Sequence, residues 1–400
     1  MDIRGKVKSF FGLERNIVVI LVANLFWATI VVYQNFKPKF YESLGASVFF
    51  VGVLYSLGEL FYSLSSFIGG HLSDTYGRKY VLARASFAVS FILLGFYFAP
   101  DWIFLLPFLI LGSFTSGLED ASAQTFISES LPKKRRATGT ASIYLAAIIL
   151  SVVLIPIGGF LVESYGMLEG IRTAIIISFF CYFVGSTIFF FYGKETLRSR
   201  KKTKQKLKFT FNFSNITHFV RKLPLSVKGM LLFISLFYFC AALIGPYWIF
   251  YALDIIKINS FEFGILASVQ FVTVAASSFI GAKLSDKYGR KKLFLASAIL
   301  FLFAPILFIF SQNFFHLVIV QLIVGVSTVG FTSIFAYITD NIDQKRRARA
   351  IGMTNGMMSF VGISAPVIGS LLYSFVPQYP FVFASALLVV NLLIGIKFLK

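Results

Sequence analysis

Three carboxylic acids lie deep inside long apolar segments, where a charged group is costly. They are Glu59, in the stretch LYSLGELFYSL, and the adjacent pair Glu119 and Asp120. Acidic side chains in such surroundings are rare and usually serve a task, such as relaying a proton or pairing with a cation. A structural interpretation is also open, because a protonated carboxyl group can hydrogen-bond to a neighbouring helix. Adjacent helical positions diverge by about 100°. Glu119 and Asp120 are therefore not expected to point the same way.

The segments that hold these acids are those of a membrane protein. Of the 400 residues, 57% are hydrophobic and only 14% are charged, against about 25% charged in soluble domains. Apolar runs recur along the whole length, and about 20 such residues suffice to cross a bilayer as a helix. We predict an all-α protein with twelve spans. These are 16–36, 45–70, 79–99, 102–130, 138–162, 171–192, 227–253, 261–282, 291–311, 314–340, 349–375 and 379–397.

The formal net charge of +20 follows the predicted topology. If both termini and the even-numbered loops share one side, only four of the 37 Lys and Arg residues lie on the other side. These four are Lys37, Lys39, Arg172 and Lys257. Such a bias marks the cytoplasmic side and places both termini in the cytoplasm of a cell-membrane protein.

The predicted spans fall into two sets of six, 1–192 and 227–400, joined by a basic linker over 193–226. The linker charge is typical of an anchor at anionic headgroups, so we expect no nucleic-acid partner. Within the linker, FTFNFSNITHFVRKL favours a helix lying at the membrane interface. The spacing of Cys and His residues predicts no metal site.

An internal repeat relates the two sets. GGHLSDTYGRK begins at Gly69 and GAKLSDKYGRK at Gly281. ISESLPKKRRATG at Ile127 returns as ITDNIDQKRRARAIG at Ile338, and PIGG returns as PVIG. Three pairs in the same order indicate a duplicated six-helix unit. Glu59, Glu119 and Asp120 have no acidic counterpart in the second copy, which favours a specific task over generic packing.

The repeated phrase resembles the signature of the major facilitator superfamily, Gly-x-Leu-x-Asp-x-x-Gly-Arg-Lys, and the resemblance covers essentially the whole chain. It implies two pseudo-symmetric six-helix bundles around a central cavity. It also implies a cytoplasmic gate in which Arg78 pairs with Glu129, and Arg290 with Asp340. Glycine in these turns permits positive φ, and Asp74 is placed to accept hydrogen bonds from a helix N-terminus. The expected gate residues are Gly70, Asp74, Gly77, Arg78, Glu129, Asp286, Gly289, Arg290 and Asp340.

In this superfamily, helices 1, 4, 7 and 10 line the cavity. The resemblance therefore adds the polar and aromatic residues Asn24, Trp27, Gln34, Tyr238 and Gln321 to the three acids. Tyr247 and Trp248 join them by the same reasoning, although aromatic side chains near a membrane face also form interfacial belts.

Two departures from family patterns bear on the solute. Many members carry an Arg in helix 4 four residues before a Gly, but Phe108 stands before Gly112 here. The drug-antiporter signature of helix 5 is incomplete, because Ile155 and Phe160 flank PIGG. The missing cation disfavours phosphate and carboxylate substrates.

We therefore expect a proton-coupled transporter of a small neutral or cationic organic solute, monomeric and without a cofactor. Efflux is favoured slightly over uptake of a sugar-like metabolite, because the predicted cavity is acidic and aromatic. A non-transporting solute sensor on the same scaffold is the alternative, and the repeated gate argues against it. No catalytic constellation suggests an enzyme.

Overall fold

The computed structural model describes residues 15–132, 136–197, 223–342 and 344–399, and in them the regular structure is helical. The helices are α1 Arg15–Trp27, α2 Val31–Gln34, α3 Lys37–Ser43, α4 Val48–Tyr76, α5 Arg78–Tyr97, α6 Trp102–Ser130, α7 Arg136–Tyr165, α8 Met167–Tyr192, α9 Leu225–Ile244, α10 Trp248–Phe250, α11 Ser260–Tyr288, α12 Arg290–Ile309, α13 Phe314–Ser327, α14 Ile334–Asp340, α15 Gln344–Phe375 and α16 Tyr379–Phe398. The interfacial helix predicted within the linker falls almost wholly on 198–222, outside the described residues.

The predicted all-helical membrane fold is confirmed. Eleven helical segments of the described chain are long and apolar enough to cross a bilayer, and Phe314–Gly330 is a shorter apolar helix. The observed helices start and end within a few residues of most predicted spans. The main extensions occur at α4 and α11, which continue to Tyr76 and Tyr288 and so carry most of each repeated phrase on helix.

Three spans predicted as continuous helices are interrupted. The first contains a 3₁₀ turn at Ala28–Ile30, the seventh a π-helix at Tyr251–Ile255, and the tenth a 3₁₀ segment at Thr328–Ser333. In the first, the Ser178 hydroxyl lies 3.0 Å from the carbonyl oxygen of Thr29 and 2.8 Å from that of Ala174 on its own helix. Such side-chain donors satisfy backbone groups that an irregular turn leaves open inside a membrane. Hydropathy alone carries no signal for these breaks.

The chain divides into two compact units. The first comprises Met1–Gly45 and Leu60–Thr203, and the second comprises Ala46–Glu59 and Lys204–Lys400. Helix α4 thus contributes its first part to the second unit and its remainder to the first. The predicted bundle boundaries at 192 and 226 stay predictions.

In each unit, a glycine lies directly against a backbone carbonyl oxygen of another helix. A Cβ on Gly158 of α7 would collide with the carbonyl oxygen of Val32. In the second unit, a Cβ on Gly369 of α15 would collide with the carbonyl oxygen of Leu243. Both the glycines and their partners are 211 positions apart. The duplication therefore preserved a backbone-to-backbone approach of the small-residue type that packs membrane helices.

Small residues also bring α4 and α6 together in the first unit. A Cβ on Gly117 would collide with the hydroxyl of Ser65, and one on Gly69 would lie 3.1 Å from the Cβ of Ala121. The Ser65/Gly69 and Gly117/Ala121 pairs are each four residues apart, so they form facing stripes on the two helices. This contact sets Tyr62 of α4 beside the turn of α6 that carries the adjacent acids.

Candidate functional site

A cavity of about 360 Å³ lies within the first unit, among the helices of the first, fourth, fifth and sixth spans. Among the described residues that line it, two are acidic and none is basic. Its lining residues are Ile20, Asn24, Trp27, Ala28, Ile30, Val31, Gln34, Ser116, Glu119, Asp120, Ala123, Ile127, Tyr144, Ala147, Ile148, Ser151 and Tyr182. A mainly apolar wall with a few convergent polar groups is typical of small-molecule sites.

Glu119 is the buried acid of the cavity wall. Its carboxyl oxygens lie 2.8 and 2.9 Å from the hydroxyl of Tyr182 on α8. The Ser86 hydroxyl of α5 approaches Oε1 at 2.9 Å. These two hydroxyls hold the Glu119 carboxyl group at the meeting of three helices. The contacts supply the polar partners that a buried carboxyl group needs.

Asp120 is more accessible than its neighbour and is held by a different helix. The hydroxyl of Tyr62 on α4 donates to Oδ2 of Asp120 at 2.7 Å, and the Asp120 side chain is exposed. The two acids thus turn to different partners, as their helical offset requires, yet both contribute to the cavity lining. The Glu119 carboxyl group is enclosed, and that of Asp120 is exposed at the cavity.

Trp27 forms an aromatic wall of the cavity. Its indole Nε1 donates to the hydroxyl of Ser186 at 3.3 Å, and its ring centroid lies 5.9 Å from that of Tyr182. The ring also meets Phe189 edge-on at 5.7 Å. A fixed aromatic face beside carboxylates is suited to an organic cation or an amphipathic body.

The structure brings together five of the eight predicted cavity residues: Asn24, Trp27, Gln34, Glu119 and Asp120. The other three, Glu59, Tyr238 and Gln321, belong to the second unit. Sequence reasoning missed Tyr62, Ser86, Tyr144 and Tyr182, all of which contact the acids or line the cavity. Their types are unremarkable in a membrane helix. Only the unduplicated acids could have pointed to partners on adjacent helices.

Glu59 and Tyr238 meet at a glycine in the second unit. A Cβ on Gly362 of α15 would lie 3.1 Å from the Tyr238 ring and 3.5 Å from Oε2 of Glu59. This grouping joins a half-buried carboxyl group to a phenol. Gln321, on α13, is buried.

Tyr247 and Trp248 are packing residues. The Tyr247 hydroxyl donates to the carbonyl of Pro366 at 2.5 Å, and its side chain is fully buried. The Trp248 ring lies 4.0 Å from that of Phe308 and 5.6 Å from that of Phe381. These contacts form an aromatic core of the second unit.

The first copy of the repeated phrase forms an ion-pair cluster at the α4–α5 turn. Gly77 has φ +105° and links the two helices alone. The Arg78 guanidinium contacts Asp74 at 2.8 Å and Glu129 at 3.1 Å, and its side chain is 9% exposed. We expected Asp74 to accept hydrogen bonds from the backbone of a helix N-terminus, but it pairs with the guanidinium of Arg78 instead. A Cβ on Gly70 would meet open space.

The N-terminus of α5 is bound by a residue that sequence reasoning missed. Glu195, just after α8, accepts the backbone N–H of Arg78 at 2.9 Å and that of Lys79 at 3.1 Å. The adjacent Thr196 hydroxyl donates to Oε2 of Glu129 at 2.7 Å. A carboxylate at a helix N-terminus satisfies open N–H groups and complements the helix dipole. The start of the predicted linker is therefore part of this cluster.

The second copy repeats the turn and one ion pair. Gly289 has φ +86°. The Arg290 guanidinium contacts Asp340 at 2.5 Å, and its side chain is 24% exposed. Asp286 lies on α11, and its side chain falls outside the described set.

The family model of the Major Facilitator Superfamily matches residues 17–254 and 230–400, which together span nearly the whole chain. The chain belongs to the Major Facilitator Superfamily. Among relatives, it is 26% identical over 278 residues to the multi-drug resistance efflux pump PmrA of Streptococcus pneumoniae, covering 68% of this chain. That alignment spans 66% of the pump, just under two thirds of its length. A PmrA homolog of Lactococcus lactis is 25% identical over 369 residues, covering 89% of this chain and 87% of the relative.

Solved structures of superfamily transporters share the fold. A mutant of the nucleoside transporter NupG superposes with a TM-score of 0.78 at 13% identity, covering 97% of this chain and 100% of NupG. A D-xylose-proton symporter gives 0.73 at 14% identity, covering 96% and 98%. At these identities the likeness establishes architecture alone.

The departures from superfamily patterns have structural counterparts. The Phe108 ring occupies the space that a Cβ on Gly95 of α5 would take, so it packs between helices and is absent from the cavity lining. Ile155 is fully buried, and Phe160 is exposed.

Proposed function

We propose that this superfamily member is a proton-coupled secondary transporter that exports a small neutral or cationic organic solute. The observation that carries the proposal is the cavity of the first unit, with two carboxyl groups, an aromatic wall and no basic side chain among its described lining residues. A cation with an apolar body is recognised by such a site through charge pairing and ring contact. The relatives named as multi-drug efflux pumps support export.

In this proposal, Glu119 and Asp120 divide proton and solute binding, and Glu59 with Tyr238 forms a further polar site in the second unit. The clusters around Arg78 and Arg290 form a cytoplasmic gate that opens and closes during alternating access. Both termini lie in the cytoplasm. The protein acts as a monomer in the bilayer.

The test uses the full-length protein in proteoliposomes with an imposed pH gradient and ethidium as a cationic probe. Glu119→Gln and Asp120→Asn are expected to abolish gradient-driven ethidium flux, and Glu59→Gln to reduce it. Glu169→Gln is the control, because Glu169 is exposed and pairs with Arg172 away from the cavity lining.

Equal flux in the parent and in all three acid variants would refute the site assignment. Inward flux of a sugar-like solute under the same gradient would replace export with uptake. Binding of solutes without any flux would favour a sensor.

A further inference from the structure

The Ser86 hydroxyl faces two acceptors with only one hydrogen to give. Its Oγ lies 2.8 Å from the carbonyl oxygen of Leu82 and 2.9 Å from Oε1 of Glu119. A serine hydroxyl donates one hydrogen bond and accepts up to two. Either the carbonyl or the carboxyl group receives the Ser86 hydrogen. If the carbonyl of Leu82 receives it, the contact with Glu119 needs a hydrogen on the carboxyl group.

Hydrogen counting distinguishes the two protonation states of Glu119. If Glu119 is ionised, Tyr182 donates to it, but Ser86 must choose between the carboxylate and Leu82. If Glu119 is neutral, its own O–H donates to Ser86, Ser86 donates to Leu82, and Tyr182 donates to the other carboxyl oxygen. The neutral state supplies three hydrogens for the four short contacts, whereas the ionised state supplies two, so only the neutral state satisfies both contacts of Ser86. Buried polar groups that lack a partner are costly, so the difference matters at this site.

We infer that Ser86 positions a proton on Glu119, which makes Glu119 the proton-holding acid and leaves Asp120 to face the solute. This inference rests on the proposed transport function and adds a residue to its mechanism. Ser86 acts through Glu119, so it is a positioning residue.

The surroundings fit this division. In the part of the chain that the structure describes, the titratable groups near the two acids on adjoining helices are phenols, and no basic residue lines the cavity. These phenols are Tyr33 on α2, Tyr62 on α4, Tyr144 on α7 and Tyr182 on α8. Asp120 has its own donor in Tyr62 and opens to the cavity.

Proton release from Glu119 then requires one proton transfer and the rotation of one hydroxyl group. The O–H bond of Glu119 breaks, and the proton passes to a water molecule in the cavity. The Ser86 O–H rotates from the Leu82 carbonyl to the new carboxylate, while Tyr182 keeps donating. Reprotonation reverses the rotation. A cation bound at Asp120 favours proton release, because its positive charge stabilises the ionised form of the nearby Glu119 carboxyl group.

Infrared difference spectroscopy of the full-length protein in lipid vesicles, in H₂O and D₂O at neutral pH, tests the inference. We expect a carboxylic-acid C=O band that shifts in D₂O, disappears in Glu119→Gln and persists in Asp120→Asn. Ser86→Ala should lose most of the band, whereas Ser86→Thr should retain it because the hydroxyl is kept.

Ser90→Ala is the matched control. Ser90 is a buried serine one turn along α5, and its hydroxyl donates to the carbonyl of Phe87 at 2.7 Å. Its variant should keep the full band, which separates hydrogen bonding to Glu119 from general loosening of the helix. Each variant is first shown to be monodisperse.

A band that is absent in the parent, survives Glu119→Gln or is unchanged in Ser86→Ala overturns the inference. A parent protein with the expected band but no gradient-driven flux refutes the proposed function while leaving the proton position intact. Gradient-driven flux with a band that belongs to Asp120 refutes only the inference.

Discussion

Glu195 caps the helix that begins at Arg78, accepting its backbone N–H at 2.9 Å across 117 positions of sequence. Loss of a capping side chain costs about 0.5–2 kcal/mol. We expect Glu195→Ala to lower the thermal unfolding midpoint of the purified protein and to slow transport. Thr196→Val removes only the hydroxyl contact to Glu129, so its unfolding midpoint should fall less. Equal midpoints in parent and Glu195→Ala would contradict the capping role.

The two arginines of the proposed gate should differ in how much they contribute to stability. Arg78 bridges two carboxylates and is 9% exposed, whereas Arg290 contacts Asp340 and is 24% exposed. Removing one partner of a buried ion pair costs about 3–5 kcal/mol, and exposed pairs cost far less. Arg78→Gln should therefore reduce stability and flux more than Arg290→Gln, measured by thermal unfolding and proteoliposome uptake. Arg78→Lys should rescue partially, because an ammonium lacks the fork that reaches two acids. A larger effect at Arg290 would reverse this ranking.

The equivalent close contacts of Gly158 and Gly369 predict that a substitution at either glycine destabilises its unit to a similar extent. Gly158→Ala and Gly369→Ala should each destabilise the protein or prevent its accumulation, because the added methyl groups meet the carbonyl oxygens of Val32 and Leu243. Gly245→Ala is the control, since a Cβ there meets open space and its φ of −48° suits alanine. Thermal unfolding midpoints of the three variants decide the matter. Tolerance at Gly158 with loss at Gly245 would be incompatible with this packing.

Solute binding should be visible through a single tryptophan. The sequence contains three, and of these Trp27 alone is among the cavity lining residues. Trp248 packs against Phe308 in the second unit. We expect ethidium to quench tryptophan emission in the parent and in Trp248→Phe. Most of this quenching should be absent in Trp27→Phe. Quenching that follows Trp248 instead would move the binding site to the second unit.

The sequence predicted those features that depend on composition and repetition. Apolar runs predicted the membrane helices, and the duplicated phrase predicted the glycine turns at Gly77 and Gly289 and the ion pairs of Arg78 and Arg290. Repetition is informative because both copies of the phrase must satisfy the same local geometry. Glu119 and Asp120 stood out in the sequence because the second copy has no acidic residue at the equivalent positions. The structure places them with Asn24, Trp27 and Gln34 in the lining of one cavity.

What the sequence could not supply was the partner of each polar group across helices. Serine and tyrosine occur throughout membrane helices, so Ser86 and Tyr182 become notable only when rotation and register aim them at Glu119. The same holds for Glu195, which looked like part of a charged linker. For Glu59, the sequence predicted a position inside a membrane helix. Its assignment to the second unit depends on tertiary contacts, which the sequence does not show.

The Glu195 cap also constrains how the chain is made. The first turn of α5 leaves the ribosome long before the carboxylate that satisfies its N–H groups. During this interval α5 must reside in the translocation machinery or the bilayer, and its N-terminal N–H groups must bind water or other hydrogen-bond acceptors. The first unit can therefore complete its assembly only after the sixth span and the five described residues beyond it, 193–197, have been synthesised. A chain halted at Tyr192 should remain open to chaperones and proteases at this turn.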